Sequence, residues 1–194
     1  MDSSGVPDKF GFRSGEKGTH TSRTIMLDEL SILLESLGAD AGRADYLAAI
    51  IEHNALGKQT AATRKLTAQR LSELYLLDPS APLFRVLRRF WQDDTAGRPL
   101  LALLCSLARD PLLRATAEPV LAMRSGEELS RQKITDAISS AVGDRLNDAT
   151  LDKVVRNVSS SWSTARPGGE FRAGSSAIPL STRSALRLRR SSWK

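Results

Sequence analysis

From Thr24 onward apolar residues return every third or fourth position, the period of an amphipathic helix. The first such stretch predicts a helix over Thr24–Leu37, with Leu27, Leu30, Leu34 and Leu37 on one face and Gly38 at its end. A second begins near Asp40, carries Tyr46, Leu47, Ile50 and Ile51, and runs out at His53 and Asn54. Thr60 is the predicted N-cap of a third, which turns Leu66, Leu71, Leu74 and Tyr75 inward. Asp78-Pro79 breaks that helix, and Ser80 with Pro82 starts a fourth over Ala81–Trp91. Leu83, Phe84, Leu87, Phe90 and Trp91 cover one side of it, and Arg85, Arg88 and Arg89 cover the other.

The fifth predicted helix, Leu100–Ala108, is apolar almost all round and is expected to be the most buried. Asp110-Pro111 caps a sixth, which Pro119 is expected to kink or end near Glu118. Ser125-Gly126-Glu127-Glu128 has the spacing in which serine and glutamate each satisfy a backbone donor, so it is expected to launch a seventh helix with Ile134, Ile138 and Val142 inside. Gly143 ends it, and Asn147 or Asp148 caps an eighth carrying Leu151, Val154, Val155 and Val158. The expected fold is therefore all-α, a compact multi-helix bundle.

Residues 1–22 mix Gly, Ser, Lys, Asp and Thr without a period and read as a mobile N-terminal arm. Residues 23–162 form the all-helical body. From residue 163 to 194 the sequence gives way to Ser, Arg, Gly and Pro with isolated apolar residues, which reads as a basic, unstructured tail. So abrupt a change in composition raises the hypothesis that this end is truncated or translated from an altered frame; an intact native tail by mass spectrometry, with no apolar period in the other frames, would overturn it.

Charge sharpens that division. The chain of 194 residues has a formal charge of +6. Arg166, Arg172, Arg183, Arg187, Arg189, Arg190 and Lys194 stand against Glu170 alone after residue 160, so the tail supplies the whole excess and the body is neutral. Nucleic-acid affinity in the body must then come from a local basic patch. The longest strongly apolar run, Pro99–Ala108, is half the length of a membrane span, and the first residues lack the pattern of a secretory signal; a soluble cytoplasmic protein without membrane association is expected.

Chemistry-bearing motifs are sparse. The single cysteine, Cys105, lies in an apolar run and is expected to be a buried, inert thiol; with His20 and His53 it makes no metal-ligand spacing. No phosphate-cradling loop or dinucleotide fingerprint occurs. Asp93-Asp94 and Glu127-Glu128 read as surface and cap residues, and His53 as a helix-end residue. A non-enzymatic protein with no cofactor, no metal and no evident small-molecule substrate is expected.

What remains is residues 46–77, a helix, a short Gly-containing turn and a basic helix, the pattern of a helix-turn-helix whose second helix enters the major groove. Lys58, Gln59, Thr60, Thr63, Arg64 and Lys65 would occupy its exposed N-terminal turns. Arg and Gln pair with base edges, Thr and Lys reach phosphates, and a helix N-terminus attracts an anion. Arg85, Arg88 and Arg89 are candidates for further phosphate contacts. A second, weaker helix-turn-helix-like segment spans 128–162, with Lys153, Arg156 and Asn157 as its candidate residues. Solvated charged faces explain the same residue types, and an RNA duplex is a further candidate ligand.

The stretch from His53 to Arg64, then Leu83 to Arg88, then Leu101 to Leu113 with its Ala108-Arg109-Asp110-Pro111 turn, and finally Arg156-Asn157-Val158-Ser159-Ser160-Ser161-Trp162, resemble in order and spacing the BrxA family of bacterial BREX phage-exclusion systems. The resemblance covers roughly residues 24–162. It implies a small all-helical protein, similar in fold to the RNA-binding antitermination factor NusB, that binds double-stranded DNA as an accessory of an antiviral defence complex. Other BREX components are then further partners. Beyond Ser163 the family continues into a Gly-containing turn and another apolar helix, which this chain lacks. The rival reading is a helical scaffold that docks other defence components, with DNA affinity arising from the tail.

Overall fold

A computed structural model describes residues 9–15, 18–124 and 127–165. Among them are nine α-helices, two short 3-10 turns and no strand. The helices are α1 (Leu27–Ser36), α2 (Arg43–Ile51), α3 (Ala61–Tyr75), α4 (Pro82–Asp93), α5 (Arg98–Arg109), α6 (Pro111–Ala115), α7 (Ala117–Leu121), α8 (Arg131–Val142) and α9 (Asp148–Thr164). The 3-10 turns are Thr19–Thr21 and Gly143–Arg145. No helix among the described residues is long and apolar enough to cross a membrane.

Local chemistry starts several of these helices where the pattern predicts. The Thr60 hydroxyl accepts the Thr63 N–H at 3.1 Å, the Asp110 carboxylate accepts the N–H groups of Leu112 and Leu113, and Asn147 accepts that of Thr150 at 2.9 Å. Other boundaries move for reasons the local pattern does not carry. Helix α1 begins at Leu27 rather than Thr24 because Ile25 is committed elsewhere: its N–H donates to Ser161 Oγ and its carbonyl accepts from the Tyr75 hydroxyl. Helix α8 begins at Arg131, capped by the Ser130 hydroxyl, and not from a box at Ser125; Glu127 instead takes the Arg124 N–H and the Lys133 ammonium. Ser125 itself lies outside the described residues. The break expected near Glu118 falls at Thr116, between α6 and α7. Pro119 has no N–H for the Ala115 carbonyl, so the helix fails one turn before the proline.

One core joins all of these helices, from Leu30, Leu33 and Leu34 on α1 through Leu71, Leu74, Phe84 and Trp91 to Val154, Val155 and Val158 on α9. Tyr46 meets Phe84 edge-on, with ring centroids 5.3 Å apart. Three positions expected inside are outside: Leu66, Phe90 and Leu104 are 40%, 47% and 47% exposed. Each sits about a quarter-turn beyond a buried stripe that neighbours already fill, Thr67, Ala68 and Leu71 in the case of α3.

The expected mobile arm is corrected more sharply. Thr19 and His20 are buried in the core, and the Arg13 N–H donates to the Ala108 carbonyl at 3.1 Å. Residues 18–22 are therefore a structural element of the body. At the other end α9 runs to Thr164, slightly past the expected boundary; the rest of the expected tail, from residue 166, lies outside the described residues, as does the question of its frame.

Candidate nucleic-acid interface

Helices α2 and α3 are joined by the short Gly-containing turn expected between them. Asn54 and Gly57 take left-handed backbone angles, φ 51° and 62°, and the Asn54 side chain accepts the Lys58 N–H at 2.7 Å. Leu56 is the turn's buried anchor. Tight closure of the turn delivers Gln59 and Thr60 to the surface at the start of α3, whose first turn holds no acidic residue. The unpaired N–H groups and dipole of that end favour an anion.

The six candidates here are brought together, but their side chains are not equally free. Gln59 and Lys65 are exposed, with no hydrogen bond or ion pair to another described residue. Thr60 and Thr63 share a 2.8 Å hydroxyl bond, so Thr60 is occupied in capping. Lys58 pairs with Glu29 at 3.1 Å, both only about a quarter exposed. Arg64 donates to the Glu52 carbonyl at 3.4 Å, which closes the turn from outside, and its Nε is buried without a partner.

Two basic residues that the sequence reading passed over border the same helix. Arg13 and Arg43 line an open groove of about 370 Å³ with Lys65, Gln69 and Ser72, whose hydroxyl is buried and has no partner. Arg13 was hidden by its place in an apparently unstructured arm, and no local signal marks it. Further along α3, burial pulls the Glu73 carboxyl upward, but hydrogen bonds from Arg70, Thr19 and Gln69 outweigh it and hold the group below the usual carboxylate range. Glu73 thereby neutralises Arg70.

The remaining candidates lie apart from this surface. Arg88 donates to the carbonyls of Gly38, Ala39 and Ala41 and lies over the Tyr46 ring, so it fastens the segment after α1. Arg85 and Arg89 flank it around a separate groove against α1. On α9, Lys153 and Arg156 are exposed, whereas Asn157 donates to the His20 carbonyl at 2.8 Å. The Asn157 amide is a fastener of the N-terminal segment.

Inside the body, His20 Nδ1 lies 2.9 Å from Asp110 Oδ2, and His20 Nε2 lies 2.9 Å from Ser161 Oγ. The connectivity is that of an acid, a base and a hydroxyl nucleophile. All three groups are buried, Ser161 Oγ also accepts the Ile25 N–H, and it donates to the Asn157 carbonyl. A hydroxyl so enclosed has no route to a substrate, and the constellation works as a clamp. Cys105 is equally enclosed, with burial pushing its thiol up to about 12. Among the described residues no group of three or more His, Cys, Asp or Glu is arranged to hold a metal ion.

No family model, curated protein or solved structure matches this chain.

Proposed function

We propose that this protein binds double-stranded DNA as a non-catalytic accessory of a bacterial phage-defence system of the BREX type, in the cytoplasm. The observation that carries the reading is the α2–α3 unit: an exposed helix N-terminus whose first turn holds no acidic residue, with Gln59 and Lys65 unengaged beside it. Gln59 has the donor–acceptor pair that matches an adenine edge, and Lys65 is a phosphate-reaching cation. Arg13 and Arg43 extend the positive surface along the helix. The resemblance of its motifs to the BrxA family is what suggests the defence context, a NusB-like architecture and other BREX components as partners.

Fluorescence anisotropy of the full chain on a short DNA duplex, across a salt series, tests the reading. A variant with Arg183, Arg187, Arg189 and Arg190 replaced by Gln separates tail electrostatics from a site on the body. Retained binding in that variant, lost on Lys65→Ala with a salt slope lower by about one unit, supports the site. Binding that disappears with the tail charges favours the scaffold reading, and a preference for an RNA duplex favours an RNA ligand. Val86 and Phe90, exposed one turn apart on α4, are the specific feature on the side of a scaffold.

A further inference from the structure

A groove between the C-terminal end of α1 and α4 belongs to neither helix-turn-helix segment. Its volume is about 620 Å³, within the range of roughly 300–1,000 Å³ typical of small-molecule sites. Leu34 and Leu37 give it an apolar wall, and Arg85, Arg88 and Arg89 give it a cationic rim. Trp91 borders it from below, fully buried, and its indole N–H has no hydrogen-bond partner among the described residues. Buried donors in native proteins are nearly always paired, and the Trp91 N–H, with no exposed surface of its own, is an exception beneath the groove.

The three arginines differ in what they can give. Arg88 is spent on backbone carbonyls. Arg85 makes only a 3.3 Å bond to the Ser80 carbonyl, and Arg89, 79% exposed, makes a 3.4 Å pair with Asp93. Such surface contacts are weak and are exchanged readily for a better anion. Guanidinium forks match phosphate and carboxylate oxygens in pairs.

We propose that this groove binds a small anion with a planar apolar body, its phosphate or carboxylate held by Arg85 and Arg89 and its body laid against Leu34 and Leu37. The apolar wall argues for a ligand that is partly engulfed, unlike a duplex backbone, which presents only charged and polar groups. The site therefore stands independently of the DNA-binding surface on α3.

The test uses full-length protein with ¹⁵N-labelled indoles, Trp91→Phe assigning the Trp91 peak and Trp162, bonded to Thr116, serving as the internal reference. The probes are AMP and 2-naphthoate, with adenosine and inorganic phosphate as the body and the anion alone. The expected result is a saturable shift of the Trp91 peak with AMP or 2-naphthoate, at least about tenfold tighter than with either fragment. Saturation by AMP only assigns a phosphate ligand, and by 2-naphthoate only a carboxylate. Arg85→Ala/Arg89→Ala, both exposed positions, should weaken the shift at least about tenfold while leaving the Trp162 peak in place. No saturable shift with either probe, a shift unaffected by the double variant, or inorganic phosphate binding as well as AMP would overturn the proposal. So would a DNA duplex that moves the Trp91 peak as strongly, because the arginines would then belong to a duplex interface.

Discussion

His20 Nδ1 sits 2.9 Å from Asp110 Oδ2, across ninety positions of sequence, with both side chains withdrawn from water. The same carboxylate accepts the His20 backbone N–H at 3.0 Å and caps α6 through Leu112 and Leu113. One aspartate thus joins the N-terminal segment to the middle of the chain, and Ser161 on the far side of the imidazole extends the join to α9.

Asp110→Ala should be the most destabilising single change at this clamp. It leaves a buried imidazole nitrogen and the His20 N–H without their acceptor and uncaps a helix together, a loss of roughly 2–5 kcal/mol. Urea unfolding of the full chain reads it. An unchanged midpoint would mean that the clamp contributes nothing to stability.

Acid should weaken the protein partly through the same carboxylate. Burial acts to raise the Asp110 carboxyl, but bonds from His20 and from backbone N–H groups prevail and hold it below its ordinary value of 3.8. A group with a depressed folded pKa gives stability that is complete above its unfolded pKa and is lost as pH falls through the folded one. Stability measured from pH 6 downward should therefore begin to fall near pH 4, with Glu73 contributing in the same sense. In Asp110→Asn the fall should be shallower; an identical acid profile would show that Asp110 is not a source of it.

Glu29→Gln should strengthen duplex binding. The substitution frees Lys58 from its 3.1 Å pair and removes a negative charge beside the α3 N-terminus. An effect of about twofold, on the order of 0.5 kcal/mol, fits a partly exposed pair. Anisotropy titration at fixed low salt checks it, and weaker binding by Glu29→Gln would count against Lys58 as a contact.

Cys105 should resist alkylation in the folded protein. At 3% exposure and with its thiol pushed up to about 12, it presents almost no thiolate to a reagent at neutral pH. Iodoacetamide labelling should proceed only as fast as the protein opens and should accelerate across the urea transition. Rapid labelling of native protein would contradict the packing of α5.

Legibility in the sequence followed distance along the chain. Thr60, Asp110 and Asn147 are readable as caps because each acts on a backbone N–H two or three residues ahead. The segment from Lys58 to Lys65 is readable for the same reason, since turn, cap and exposed helix face are all local. His20 is not, because its partners are 90 and 141 residues away and its neighbours are small polar residues that look like linker. Arg88 and Asn157 look like surface ligands in sequence, and only the fold reveals that backbone carbonyls occupy them. Leu66 and Phe90 show the limit of counting apolar residues: a stripe predicts a face, but its width is set by whatever packs against it.

The clamp also puts an order on biogenesis. A ribosome delivers His20 long before Ser161, and at about 5–20 residues per second the 141 positions between them occupy roughly 7–28 s. Throughout that interval the imidazole and, once made, the Ile25 amide wait without the Ser161 hydroxyl that completes their bonds. The N-terminal segment is thus held open until α9 emerges, which makes that interval the one in which chaperones and proteases have their widest access to it.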